Sequence, residues 1–294
     1  MFETLGRSYR LAIESLRLLR KDPELMLFPV ISFIASVVVA GILGGLGIVT
    51  GGIGGGRLTG SGVLFIFLFY FGAYFVTIYF QVGLVASVQY RLVGGNPNLA
   101  YGIRAANHRL GPIFSWAIIA ALVGLLLRIL EEVARRNTSG LGRIVAGIII
   151  GLAGMAWSLA TFFVIPILAA EGISGFDVVK HSASIVKRRW GEAVVGQAGI
   201  GLIMIIIAVV LAVVLGGIGL IALGGGSSVA VGIGITFVAL AVLGVLLIVA
   251  ASAALQSIYT TVLYQYATTG QTGEEFSRDL LEGAFRPGRT LQAG

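Results

Sequence analysis

Apolar positions gather along this chain into six runs, at residues 24–49, 61–90, 112–130, 143–170, 193–223 and 229–266. Each is close to or above the roughly 20 helical residues needed to cross a hydrocarbon core about 30 Å thick. Three of the intervening stretches change to a two-faced pattern. In the first, Leu5, Tyr9, Ala12, Leu16 and Leu19 step by four and three, with Arg7, Arg10, Glu14, Arg17 and Lys21 on another face. Leu99, Ile103, Ala106 and Leu110 keep the same period in the second, opened by Asn96-Pro97 and stopped by Gly111-Pro112. In the third, Ser174 to Asp177 resembles a capping box, Phe176, Val179, Ala183, Val186 and Trp190 form the stripe, and Gly191 ends it. A helical period of apolar and charged faces is the signature of an amphipathic surface helix. The pattern predicts an all-α integral membrane bundle: six transmembrane helices with three amphipathic helices at one membrane surface.

The first and third surface segments also match by residue type, "SLRLLRKDP" from Ser15 against "SASIVKRRW" from Ser182. This suggests a threefold internal repeat of one surface helix plus two spans, with units 1–92, 93–172 and 173–270 and a tail 271–294, all in a single membrane domain 1–294. An even number of spans per unit gives every copy the same orientation.

Composition strengthens the membrane reading. The chain is 57% hydrophobic and 11% charged, with a mean hydropathy of +1.00, too little charge to cover a water-facing surface. The 44 glycines suit membrane helices, where small residues let backbones approach. The first twenty-odd residues are charged and two-faced rather than an apolar leader core, so no cleaved signal is expected. With no cysteine, thiol and disulfide chemistry is excluded. The net charge of +7 is unevenly placed: of 20 lysines and arginines, only Arg57, Arg128, Arg135, Arg136 and Arg143 fall on the side opposite the termini. The positive-inside rule then makes both termini cytoplasmic in a multi-pass protein of the cell membrane. This topology accounts for the basic excess without nucleic acid.

Candidate chemistry is of two kinds. Arg7, Arg10, Arg17, Lys21, Lys180, Lys187, Arg188 and Arg189 are placed to meet anionic headgroups, or a cytoplasmic or membrane protein partner; the plainer role for their helices is to brace the bundle. Within the spans, polar groups are amides and hydroxyls, among them Gln89, Ser158, Thr161 and Ser257. Such groups usually bond neighbouring helices. The sharper alternative is that Gln81, Gln197, Gln256 and Thr260 line a neutral-polar passage or headgroup pocket. Glu131 and Glu132 read as i,i+4 partners of Arg135 and Arg136, His108 and His181 as solvated polar-face residues, and Pro166 as a kink. Tyr90, Tyr259, Tyr264 and Tyr266 read as interfacial anchors. The GxxxG spacings at Gly41 to Gly45 and Gly147 to Gly151 suggest close helix contacts. No catalytic set, metal cluster or cofactor motif is visible, and no cofactor is implied.

The segments "LRKDPELMLFPVIS", "FLFYFGAYFVTIYF" running on to "YRLVGGNP", "GRIVAGIIIGLAGMAWSLATFFVIPILAAEG" and the basic segment through Trp190-Gly191-Glu192 resemble a family of uncharacterised prokaryotic membrane proteins, domain of unknown function 6159. The resemblance implies a multi-pass bundle and adds no activity. The expected function is therefore a non-catalytic membrane protein that organises lipid or acts as a scaffold through its basic helices. The alternative is an uncoupled transporter or channel for a neutral or anionic solute.

Overall fold

The structure, a computed structural model, describes residues 13–50, 60–137, 139–188 and 192–270, with the backbone alone for 60, 61, 188 and 192–200. Helix is the regular structure here, as a bilayer requires of a chain that must satisfy its backbone groups internally; no strand occurs among the described residues. Helix α1, described over 13–21, leads through a 3-10 turn, Pro23–Met26, into α2 (Leu27–Val49). There follow α3 (Gly60–Leu92), α4 (Leu99–His108), α5 (Leu110–Asn137), α6 (Leu141–Ala160), α7 (Val164–Ala170), α8 (Asp177–Arg188), α9 (Glu192–Leu223) and α10 (Ser228–Thr269).

Among the described residues, six stretches are long and apolar enough to cross a membrane: Pro23–Val49, Gly62–Leu92, Leu110–Asn137, Leu141–Ala170, Gly201–Leu223 and Ser228–Thr269. They match the six runs read from the sequence, and the chain is a multi-pass membrane protein. The fourth is broken where Pro166 was expected to bend it. Helix α6 stops at Ala160, Thr161 turns its hydroxyl onto the Trp157 carbonyl at 2.8 Å, and α7 restarts at Val164. A proline ring cannot sit beneath an intact turn.

Local signals explain most helix ends. Asn98, not Asn96, caps α4, accepting the Tyr101 N–H at 2.8 Å. Arg109 separates α4 from α5, and Gly111-Pro112 lies in the first turn of α5 rather than ending α4; proline tolerates a first turn, where its missing N–H has no partner to lose. Helix α8 opens at Asp177, three residues beyond Ser174, and the Gly175 N–H is held by Ser115 Oγ at 2.9 Å.

Helices α3, α7 and α10 pack on one another, with α2 and α5 against α3 and α9 against α10. Burial is uneven along this bundle. The core (Leu18, Phe28, Val82, Leu84, Ile113, Ile167, Leu168, Val178, Leu255, Ile258 and Leu263 among others) lies toward the end where α1, α4 and α8 sit, here called the basic end. At the far end, side chains such as Ile221 and Val229 are 80% and 70% exposed, and no residue of α6 is buried. A bilayer covers such a surface at no cost, since lipid tails are as apolar as the side chains.

Two glycine pairs set the closest backbone approaches. Gly102 of α4 faces Gly83 of α3, where an added Cβ would stand 2.6 Å from the Gly83 carbonyl oxygen; Gly219 and Gly234 do the same for α9 and α10. The GxxxG spacings are not used this way: a Cβ on Gly41, Gly45, Gly147 or Gly151 would meet nothing within 4 Å.

Candidate functional site

Two features stand out, a partly polar cleft among the spans and a set of cations on the surface helices. The cleft, about 430 Å³, lies where α3, α7, α9 and α10 converge. Helix α10 forms its back wall. From the far end toward the basic end it presents Ile248 and Val249, then Ser252, Gln256, Ser257 and Thr260, while α9 adds Met204, Ile205 and Ala208. Gln81 and Val85 of α3 and Phe162, Ile165 and Pro166 complete it. Ser252, Gln256 and Thr260 are four apart, so they stack on one helix face, with Ser257 three residues before Thr260 beside them.

The hydrogen bonds of the cleft are local. Gln256 Nε2 donates to Ser252 Oγ at 3.0 Å, and Thr260 Oγ1 donates to the Gln256 carbonyl at 2.9 Å. The Gln81 carboxamide and the Ser257 hydroxyl make no hydrogen bond among the described residues. A second cleft of about 280 Å³ shares Gln81, Ala253 and Ser257 with the first and continues along Ser32, Ser36 and Thr77. Ser32, Ser36, Thr77 and Ser252 were not singled out from the sequence. Their signal was available: Ser32 with Ser36, Thr77 with Gln81, and Ser252 with Gln256 and Thr260 each recur at four-residue spacing.

Gln81, Gln256 and Thr260 line the same cleft. Gln197 lies on α9, where the backbone alone is described. Gln89 does not join them; its Nε2 donates to the Pro166 carbonyl at 3.3 Å and ties α3 to α7.

At the basic end, Arg17, Arg20, Lys21, Arg104, Lys180 and Lys187 are exposed. Arg7, Arg10 and Arg189 lie outside the described residues, and Arg188 is described through its backbone alone. Lys180 reaches Asp177 at 2.9 Å, with both side chains at least three-quarters exposed, an arrangement that adds little to stability. The buried line of α8 is Val178, Ser182 and Ile185 rather than the Phe176 stripe; Val179, Ala183 and Val186 are half-buried and Phe176 is 59% exposed. The stripe is displaced because Ser182 Oγ accepts the Phe163 N–H at 3.0 Å, at the break before α7.

Polar ties bind the same end. Asp22 and Arg91 pair at 3.0 Å, Glu24 accepts the Leu99 N–H at 3.1 Å, and Arg109 donates to the Ala170 carbonyl at 3.0 Å. Glu171 accepts the Tyr264 hydroxyl and stands 3.2 Å from His181 Nε2, so His181 has a carboxylate neighbour. Tyr259, Tyr264 and Tyr266 are buried in the core rather than anchored at an interface; Tyr90 is exposed and stacks on Tyr101 at 4.6 Å. At the opposite end, Glu132 takes both Arg135 and Arg136, while Glu131 faces Arg128.

No curated protein matches the chain. A family model matches residues 60–276, which takes in α3 to α10 and leaves out "LRKDPELMLFPVIS"; on that match the chain belongs to the Family of unknown function (DUF6159).

Proposed function

We propose that this protein is a non-catalytic membrane component that gathers and organises lipid at the cytoplasmic face, through basic helices resting on anionic headgroups. The observation that carries the reading is the three-sided surface of α8. Val178, Ser182 and Ile185 are buried, Val179, Ala183 and Val186 form a half-buried apolar shoulder, and Lys180 and Lys187, with Phe176 just before the helix, are exposed. A helix lying in the headgroup plane needs such a shoulder for the acyl boundary and cations for the phosphates above it.

An internal repeat would multiply this surface, and several features support one. Glycines with left-handed backbone, Gly94, Gly172 and Gly270, close α3, α7 and α10. Leu99 and Asp177, which open α4 and α8, each follow five residues after such a glycine. The chain reads "QYRLVG" before the first and "QYATTG" before the third. Helix α4 packs on α3, α8 on α6 and α7, and the turn after α1 on α10, which would distribute the cations around one rim.

Each cation near an anionic surface contributes about 1 kcal/mol. The test is the selectivity of spin-labelled phosphatidylglycerol over phosphatidylcholine for reconstituted protein. Changing Lys180, Lys187, Arg188 and Arg189 to glutamine should reduce that selectivity severalfold; unchanged selectivity would remove the role given to α8.

A second reading has an observation of its own, since Gln81, Gln256 and Thr260 line one cleft. Under it the protein passes a neutral or anionic solute without coupling. Solute flux in vesicles that Gln256→Leu abolishes, with lipid selectivity intact, would make this the better account.

A further inference from the structure

We infer that the cleft between α7 and α9 seats one membrane lipid, with its oxygen-bearing glycerol backbone against Gln81, Gln256, Ser257 and Thr260 and a hydrocarbon chain along Ile205, Ala208, Ile248 and Val249. The inference deepens the lipid-organising reading and rests on it for the source of the ligand, but it makes no use of the cationic helices.

Four observations lead to this occupant. The α10 wall of the cleft is graded, from Ile248 and Val249 toward the far end to Ser252, Gln256, Ser257 and Thr260 toward the basic end, the same order in which a lipid of that leaflet presents chain and then backbone. The cleft is also open to hydrocarbon. Helix α9 packs extensively on α10 and on no other described helix to a comparable extent, so no described helix seals the side between α7 and α9 and a chain can slide in from the bilayer.

Third, the polar part of the lining is amides and hydroxyls, with no lysine, arginine or carboxylate among the described residues that form it. That set suits ester, ether or hydroxyl oxygens and leaves the charged part of a headgroup nearer the basic end. Ten residues of α10 separate Thr260 from its closing Gly270, about 15 Å along a helix axis. Fourth, hydrogen-bonding capacity remains. Gln81 and Ser257 are unpaired among the described residues, and Gln256 uses its amide nitrogen on Ser252 alone. Acyl chains cannot satisfy such groups, and an unpaired amide in an apolar medium costs several kcal/mol. The volume of about 430 Å³ falls in the usual range for a ligand site, about 300–1,000 Å³.

The experiment uses the full chain reconstituted with a phosphatidylcholine carrying a diazirine midway along one chain, at sub-saturating amounts. Adducts are mapped by mass spectrometry. Labelling should concentrate on residues 204–208 and 248–253. It should fall about tenfold in Gln81→Leu/Gln256→Leu, which corresponds to about 1.4 kcal/mol. Ala208→Trp, which fills the chain path and leaves the polar groups in place, should reduce it similarly. Thermal unfolding of each variant at or above the wild-type temperature separates loss of the site from loss of the fold.

Adducts spread equally over α6 residues such as Ile144, Ile148 and Leu152, and indifferent to both variants, would overturn the inference. So would flux of an uncharged solute such as glycerol that Gln256→Leu abolishes while labelling persists. If the glutamine variants of the basic segment keep normal phosphatidylglycerol selectivity but the cleft is still labelled, the inference stands and only the role given to α8 fails.

Discussion

Replacing Gly102 with alanine tests whether the short helices are docked as described. A Cβ there would lie 2.3 Å from Phe28 Cζ, 2.6 Å from the Gly83 carbonyl oxygen and 2.6 Å from Ser87 Oγ. None of these yields easily. The Phe28 side chain is 1% exposed and enclosed by the core, Ser87 is bonded to the Gly83 carbonyl at 3.0 Å, and that carbonyl belongs to the helix backbone of α3. Helix α4 must therefore shift away from α3. Overpacking of this kind costs about 1–3 kcal/mol, set against a gain of up to about 1 kcal/mol from the better helix propensity of alanine. With a backbone oxygen as the obstacle, we expect a net loss of about 2 kcal/mol. Gly147→Ala is the internal control, because its Cβ meets nothing within 4 Å and only the propensity gain remains. Thermal unfolding of the detergent-purified variants should rank Gly147→Ala at or above wild type and Gly102→Ala well below. Equal stabilities, or the reverse order, would refute the packing of α4 on α3.

Three further substitutions probe the basic end. Ser182→Ala strands the buried Phe163 N–H and should cost about 1–3 kcal/mol, read as a drop in unfolding temperature that Ser182→Thr does not reproduce in full. Asp22→Asn removes the carboxylate charge that Arg91, 22% exposed, meets at 3.0 Å; a double-mutant cycle with Arg91→Gln should return a coupling of about 1–3 kcal/mol, below the figure for fully buried pairs. Tyr264→Phe removes the hydroxyl donated to Glu171 and should lose about 1–2 kcal/mol, with little extra loss when combined with Glu171→Gln.

What the sequence discloses depends on which physics sets each feature. The spans were legible because bilayer thickness imposes an uninterrupted apolar length, and the broken fourth span was legible because proline removes a backbone donor wherever it falls. The orientation of α8 was not, since its buried line depends on the Phe163 N–H, a partner nineteen residues away in the chain. The apolar stripe Phe176, Val179, Ala183, Val186 and Trp190 leaves Ser182 out, because a serine gives no apolar signal and its partner lies on another helix. Tyr264 misled similarly: a tyrosine near a span end reads as an anchor until a carboxylate from another helix, Glu171, comes to meet its hydroxyl. Glycine spacing carried little in a chain with 44 glycines; the pairs in use, Gly83 with Gly102 and Gly219 with Gly234, lie on different helices and share no motif. Of the cleft, Gln81, Gln256 and Thr260 were readable as amides and a hydroxyl stranded in apolar runs. Ser36, Thr77 and Ser252 were passed over because a lone small hydroxyl can bond its own helix, and only the contact of α2, α3 and α10 groups them.

The proposed arrangement, six crossings with the basic helices on the cytoplasmic side, is best tested by cysteine accessibility, since the chain has no cysteine of its own. Single substitutions Thr50→Cys and Ser228→Cys mark the far end, and Arg104→Cys and Lys187→Cys the basic end; all four positions are exposed. With a membrane-impermeant maleimide, the first pair should react in intact cells and the second only after permeabilisation. Reaction of Arg104→Cys or Lys187→Cys in intact cells, or a split within either pair, would contradict the account.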